Sequence, residues 1–212
     1  MLAAMALVDQ CIWRSGFSPR EDVTLRFFSL HALVNTYSTW ATFPDMWKTV
    51  ISPLESVGVP FDTTPLAVIT ALHVFHCIKD ASHLDVVDWI HHGSVILLCA
   101  LTLLSTARPA GPLCNFCLFF ICGFPGGVDY YLLVFRKKKW IQSRTEKYIN
   151  MYLHQWIRCP GLIIYCTIAY IANAQNPVVS DALTCLFILP VMFNALYFSH
   201  RVILNYGRCH QK

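Results

Sequence analysis

Long apolar runs separated by short polar joints constrain this chain more than any other feature, and they occupy residues 23–43, 57–78, 89–107, 113–135, 156–174 and 178–204. A helix crossing the roughly 30 Å hydrocarbon core of a bilayer needs about 20 apolar residues, because each residue adds only about 1.5 Å along the axis. The six runs therefore predict an all-α, polytopic transmembrane helix bundle of about six spans. Turn-forming or charged joints fall between the runs: Pro44-Asp45, residues 79–88, Arg108-Pro109-Ala110-Gly111-Pro112, a basic block, and residues 173–177. Six crossings take roughly 120 residues, which leaves only short loops in a chain of 212. One membrane domain over 23–204 is expected, preceded by a cytoplasmic segment at 1–22 and followed by a cytoplasmic tail at 205–212.

Composition agrees with a membrane class: 56% of residues are hydrophobic, 13% are charged, and the mean hydropathy is +0.49. Soluble domains carry about 25% charged residues. The net charge of +4 comes mainly from one block, Arg136, Lys137, Lys138, Lys139, Arg144 and Lys147. Such a block in a membrane protein marks the cytoplasmic side, and no nucleic-acid partner is expected. Placing it in the cytoplasm also puts Arg14 and Arg20 there at one terminus and Arg201, Arg208 and Lys212 at the other. The joint holding Asp45, Lys48, Glu55 and Asp62 then falls on the opposite side, as does the nearly uncharged segment 173–180. Six spans with both termini inside satisfy this pattern; five or seven would break it. Residues 142–155 read as an interfacial amphipathic helix, with Tyr148, Ile149, Tyr152 and Leu153 recurring among polar residues.

Several other features carry little. Met1 to Val8 is apolar but lacks a basic leader and is followed by Asp9, so it is not read as a cleavable signal. Of ten cysteines, Cys77, Cys99, Cys122, Cys166 and Cys185 lie within apolar runs as small hydrophobes, and no disulfide framework is implied. Cys114 and Cys117 have redox or zinc spacing but no second pair. There is no Asn-x-Ser/Thr sequon.

Ionisable groups inside a span cost about 2.5–3.5 kcal/mol at its centre on insertion scales, so each one asks for a reason. Here they gather in the cytoplasmic half. The second run ends with His73, His76, Lys79 and Asp80, the third begins with Asp88, His91 and His92, the fourth brings Asp129, the fifth opens near His154 and Arg158, and the last ends with His200 and Arg201. A single polar chamber open to the cytosol is the economical reading. Asp88 stands three and four residues before His91 and His92, which places a carboxylate on the face of an imidazole. Such a pair can act as a general base, with Asp129 as a second acid. The pairs His73/His76 and His91/His92 also resemble two boxes of a di-iron membrane oxygenase, but a third box is missing. A zinc site needs three ligands and an open position. No resident metal is expected. Asn194, Tyr197 and Asn205 suit hydrogen bonding between helices, and residues 123–127, Gly-Phe-Pro-Gly-Gly, read as a kink or broken helix placing Asp129 beyond it.

Arg26-x-x-Ser29-x-His31, Asp88-Trp-Ile-His91-His92 and Asn194-Ala-Leu-Tyr197 together resemble the TLC family, over roughly residues 20–207. That family takes its name from translocating-chain-associating membrane protein, longevity-assurance protein and the neuronal ceroid lipofuscinosis protein. The resemblance implies a helix bundle around a lipid-accommodating chamber, in the endoplasmic reticulum or another endomembrane. His31, His73, His76, Asn194 and His200 would line the chamber, and His91, His92, Asp88 and Asp129 are the candidate catalytic set. In its ceramide synthases, which transfer an acyl group from acyl-CoA to a sphingoid amine, the paired histidines fall on His91 and His92. Their His-Asp element has no counterpart here, since residues 123–127 stand in its place. The expected function is binding, sensing or modifying an acyl lipid, with consequences for membrane lipid composition. The rivals are a ceramide-synthase-type acyltransferase using acyl-CoA as co-substrate, with no other cofactor, and a non-catalytic membrane cargo receptor. The expected partner is a membrane lipid or fatty acyl chain, and a homo-oligomer is compatible with the sequence.

Overall fold

The computed structural model describes residues 1–19, 21–104, 111–175, 177 and 180–210. Among them the chain forms seven helices and no strand. These are α1 (Leu2–Arg14), α2 (Val23–Ile51), α3 (Thr64–Lys79), α4 (Val86–Leu104), α5 (Pro112–Lys137), α6 (Ser143–Gln175) and α7 (Asp181–His210). The last four are long and apolar enough to cross a membrane. Residues 108–110 of one expected joint, and Arg20 and Lys212 of the charge pattern, lie outside the described residues.

The boundaries differ from the apolar runs in instructive ways. α2 continues through Pro44 to Ile51, where a break was expected. Thr49 Oγ1 donates to the Asp45 carbonyl 2.9 Å away, one of several hydroxyls that bond back four residues along this helix. α3 begins only at Thr64, and its 16 residues span about 24 Å, short of the hydrocarbon thickness. The expected interfacial helix and fifth run are one continuous helix of 33 residues, about 50 Å long. A π-helical turn at His154–Arg158 joins the amphipathic half of α6 to the apolar half. α7 likewise runs on to His210, so residues 205–210 extend the last helix.

α2 packs against α1, α3 and α5, and the face it turns to them is polar. His31, Asn35, Ser38, Thr42 and Thr49 recur at three- or four-residue steps (seven for the last) and are buried, while Leu33, Trp40, Phe43 and Trp47 face outward and are exposed. Polar inside and apolar outside is the arrangement lipid favours, because exposed apolar surface carries no penalty in hydrocarbon.

The segment 123–127 brings α5 close to this polar stripe. Gly123 and Gly127 form a small-xxx-small pair at which a Cβ would meet Thr39 and Asn35 backbone atoms at 3.5 and 3.8 Å. A π-turn at Phe119–Gly123 precedes Pro125, whose missing N–H falls where the next helical stretch begins. The glycines therefore serve helix packing, and α5 continues past them to Lys137 without a break.

α1 lies across α2 and α3. Its Asp9 accepts hydrogen bonds from Arg26 Nη2 at 2.7 Å and Lys79 Nζ at 2.6 Å. Burial would raise the Asp9 carboxyl, but the bonds and charges of Arg26 and Lys79 outweigh it and hold the carboxyl below its ordinary value.

Candidate functional site

Five histidines from three helices form one ring cluster. The His31 and His76 rings stack with centroids 4.4 Å apart, His73 lies 4.9 Å from His92 and 5.6 Å from His91, and His91 and His92 are 5.5 Å apart. Phe27 packs on His31 and His76 at 4.3 and 4.1 Å, and Tyr130 stacks on His31 at 4.2 Å.

Hydrogen bonds fix three of the rings. His31 Nδ1 donates to the Phe27 carbonyl at 3.0 Å and His73 Nδ1 to the Ile69 carbonyl at 2.8 Å. His76 Nδ1 donates to Asp80 Oδ2 at 2.7 Å. Because these oxygens can only accept, each Nδ1 carries hydrogen, and the neutral ring leaves Nε2 bare as an acceptor. His76 Nε2 and His92 Nδ1 are buried without a hydrogen-bond partner among the described residues.

Asp88 lines the chamber and is also tied to the start of α4. Its Oδ2 accepts from Asp85 N–H at 3.2 Å, while Asp88 N–H donates to Asp85 Oδ1 at 2.8 Å. This reciprocal pair caps the start of α4. The carboxylate bonded to an imidazole is Asp80, and the spacing of His76 and Asp80 by four residues is the sequence signal that points to it.

His31, His73 and His91 line one wall of a polar chamber of about 360 Å³, with Asp88 at its edge; His76 and His92 stand behind them, ring against ring. The facing wall comes from α5 and α6. Asp129 Oδ1 accepts from Asn150 Nδ2, which also reaches Glu146 Oε1 at 3.4 Å. Glu146 Oε2 holds Arg136 at 3.1 Å and Lys147 at 3.6 Å. Glu146, Asn150, His154 and Arg158 stand four residues apart in sequence and all four are buried, with the extra residue of the π-turn keeping Arg158 on this face. That four-residue rhythm is the signal that sequence reading passed over.

Arg158 joins the halves of the bundle. Its Nε donates to the Ile121 carbonyl at 3.3 Å, within the π-turn of α5, and its Nη2 donates to Asn194 Oδ1 at 2.7 Å, on α7. Its guanidinium also lies over Phe198, whose ring touches His91. Asn194 thus binds between helices, whereas His200 is exposed and lies outside the chamber lining.

Beyond Ile121 the surroundings become apolar. A second cavity of about 120 Å³, lined by residues such as Leu66, Val95, Leu98, Tyr165 and Val191, lies among α3 to α7. Ile121 and Cys122 line both this cavity and the polar chamber. A third void between α4 and α7 shares Ile121, Val95 and Leu98 with the apolar cavity and His91 with the chamber. Among the described residues α4 packs most closely on α3, which leaves its other side to this gap. Among the described residues no group of three or more His, Cys, Asp or Glu side chains is arranged to hold a metal ion.

Fold and site define a class: an all-helical bundle with four helices of membrane-crossing length and composition, holding a polar cavity and an apolar cavity that adjoin at Ile121 and Cys122. Comparison with protein-family models, curated proteins and solved structures found no match.

Proposed function

We propose that this chain is a TLC-like membrane protein of the endoplasmic reticulum or another endomembrane that binds, senses or modifies an acyl lipid and so influences membrane lipid composition. In this reading α2 and α3 complete six spans, and both termini face the cytoplasm with the basic block. One observation carries the functional reading: Ile121 lines the polar chamber, the apolar cavity and the α4/α7 gap at once. The three voids adjoin at this residue, polar groups on one side of it and apolar ones on the other, the succession an amphiphile fills, and in this reading the gap is its lateral route from the bilayer.

Mass spectrometry of lipid retained by the purified protein tests this. Leu98→Trp combined with Val191→Trp fills the apolar cavity and is expected to lose retained lipid, whereas Leu104→Trp, on the exposed outer face, is expected to keep it. Equal retention in both would contradict the reading.

A second reading, acyl transfer from acyl-CoA of the ceramide synthase type, draws on His91 and Asp129 lining the same chamber. A bare imidazole nitrogen there can take a proton from a hydroxyl or amine. Transfer by purified protein that is abolished in His91→Ala plus His92→Ala would support it; turnover equal to wild type would sink it.

A further inference from the structure

We propose that Arg158 is the binding group for an anionic headgroup, a carboxylate or a phosphate, of the amphiphile held in this chamber. The inference rests on the lipid-chamber reading and names the class of its ligand.

Arg158 is buried, at 8% exposure, in a helix of membrane-crossing composition. Among the described residues its hydrogen-bond partners are neutral: the Ile121 carbonyl, the His154 ring at 3.4 Å and the Asn194 amide oxygen. A guanidinium has five N–H donors, and these contacts use one on Nε and one on each terminal nitrogen. One donor remains on each terminal nitrogen. Two such donors match the paired oxygens of a carboxylate or phosphate.

The other charges of the chamber do not fill this place. Arg136 and Lys147 both turn to Glu146, and Asn150 occupies Asp129 Oδ1. Asp129 lines the same chamber but forms no ion pair with Arg158. Arg201, at the chamber rim, adds a second cation without a carboxylate partner among the described residues. The Asp129 charge reaches the guanidinium only from beyond contact distance, and a buried charge without a carboxylate in direct contact is costly in a medium that excludes water. An incoming anion removes that cost.

Position makes the same assignment. Arg158 lines the polar chamber and bonds to Ile121, the residue at which polar chamber, apolar cavity and lateral gap meet. A head bound there leaves its chain directed past Ile121 toward Leu98 and Val191.

The test is equilibrium binding of radiolabelled palmitate and of 1-hexadecanol, equal in chain length, to the purified full-length protein in nanodiscs of phosphatidylcholine. Wild type is expected to prefer palmitate by about tenfold or more, as a charge-assisted bidentate contact would give. In Arg158→Gln the ratio of the two affinities is expected to fall to about one. Asn194→Asp provides a second variant: it sets a carboxylate against the guanidinium, keeps the buried side chain partnered, and is expected to abolish the preference for palmitate. Millimolar inorganic phosphate is expected to leave palmitate bound. Its displacement by phosphate, with no binding of hexadecanol, would make this a site for free anions and overturn the headgroup assignment. Equal wild-type affinities for acid and alcohol would overturn the inference while the lipid chamber stood. Binding of neither would overturn both.

Discussion

Arg158 and Ile121 link two π-helical turns, the Nε of one residue donating to the carbonyl of the other 3.3 Å away. Each turn interrupts the regular ladder of its helix, and α5 and α6 meet where both do so. Asn194 completes the hold on the guanidinium from α7. Asn194→Ala removes a buried acceptor from a charged donor and is expected to cost about 1.5–3 kcal/mol. Thermal unfolding in detergent measures it; a midpoint equal to wild type would show that Arg158 needs no support from α7.

Close approach of α6 to α5 depends on Gly161. A Cβ there would stand 2.3 Å from Cδ1 of the Phe120 ring, whereas a Cβ at Gly93 meets nothing within 4 Å. Gly161→Ala is therefore expected to destabilise by about 1–3 kcal/mol through overpacking. Gly93→Ala is expected to be neutral or to stabilise by up to about 1 kcal/mol, through backbone entropy. The unfolding curve of Gly161→Ala should fall below wild type while that of Gly93→Ala does not; equal curves for the two variants would contradict the overpacking argument.

Docking of α1 is expected to be sensitive to acid. The folded-state pKa of Asp9 is lowered, so the group contributes stability that is fully present above the ordinary carboxylate value of about 3.9. That stability is lost as pH falls through the still lower value of the folded state. Asp9→Asn is expected to cost up to about 3 kcal/mol at neutral pH, since Arg26 and Lys79 lose their shared carboxylate. The cost should fade at pH below the folded value. A variant penalty independent of pH would refute the linkage.

Asp80 holds the His76 ring. Asp80→Ala leaves Nδ1 as well as Nε2 of a fully buried imidazole without a partner, and is expected to cost about 1–3 kcal/mol. Asp88→Ala should weaken only the start of α4, by about 1 kcal/mol. Measured unfolding free energies in the reverse order would contradict this ranking.

Helical class and apolar length were legible because they depend on composition over long windows, which side-chain detail barely alters. The ends of helices were not. α2 passes Pro44 although the sequence reads as a break there, and the amphipathic half of α6 joins its apolar half through a π-turn that periodicity at 3.6 residues does not register. The histidines were found because each is expensive within a span, but which carboxylate meets which ring depends on local geometry. Asp80 and Asp88 stand at equally suitable spacings from an imidazole, and a capping arrangement with Asp85 draws one of them away. His200 shares the sequence signal of the buried histidines, yet its helix turns it outward. Sequence puts Arg158 only near the start of an apolar run; its partners on α5 and α7 are what set it where the voids adjoin.

An acyl chain held in the interior would be open to covalent capture by photo-crosslinking with a fatty acid that carries a diazirine on its chain, followed by peptide mapping. Adducts are expected on Val95, Leu98 and Val191, competed away by unlabelled fatty acid. Adducts confined to outward-facing residues such as Leu97, Leu104 and Leu189, and unaffected by competitor, would contradict that placement.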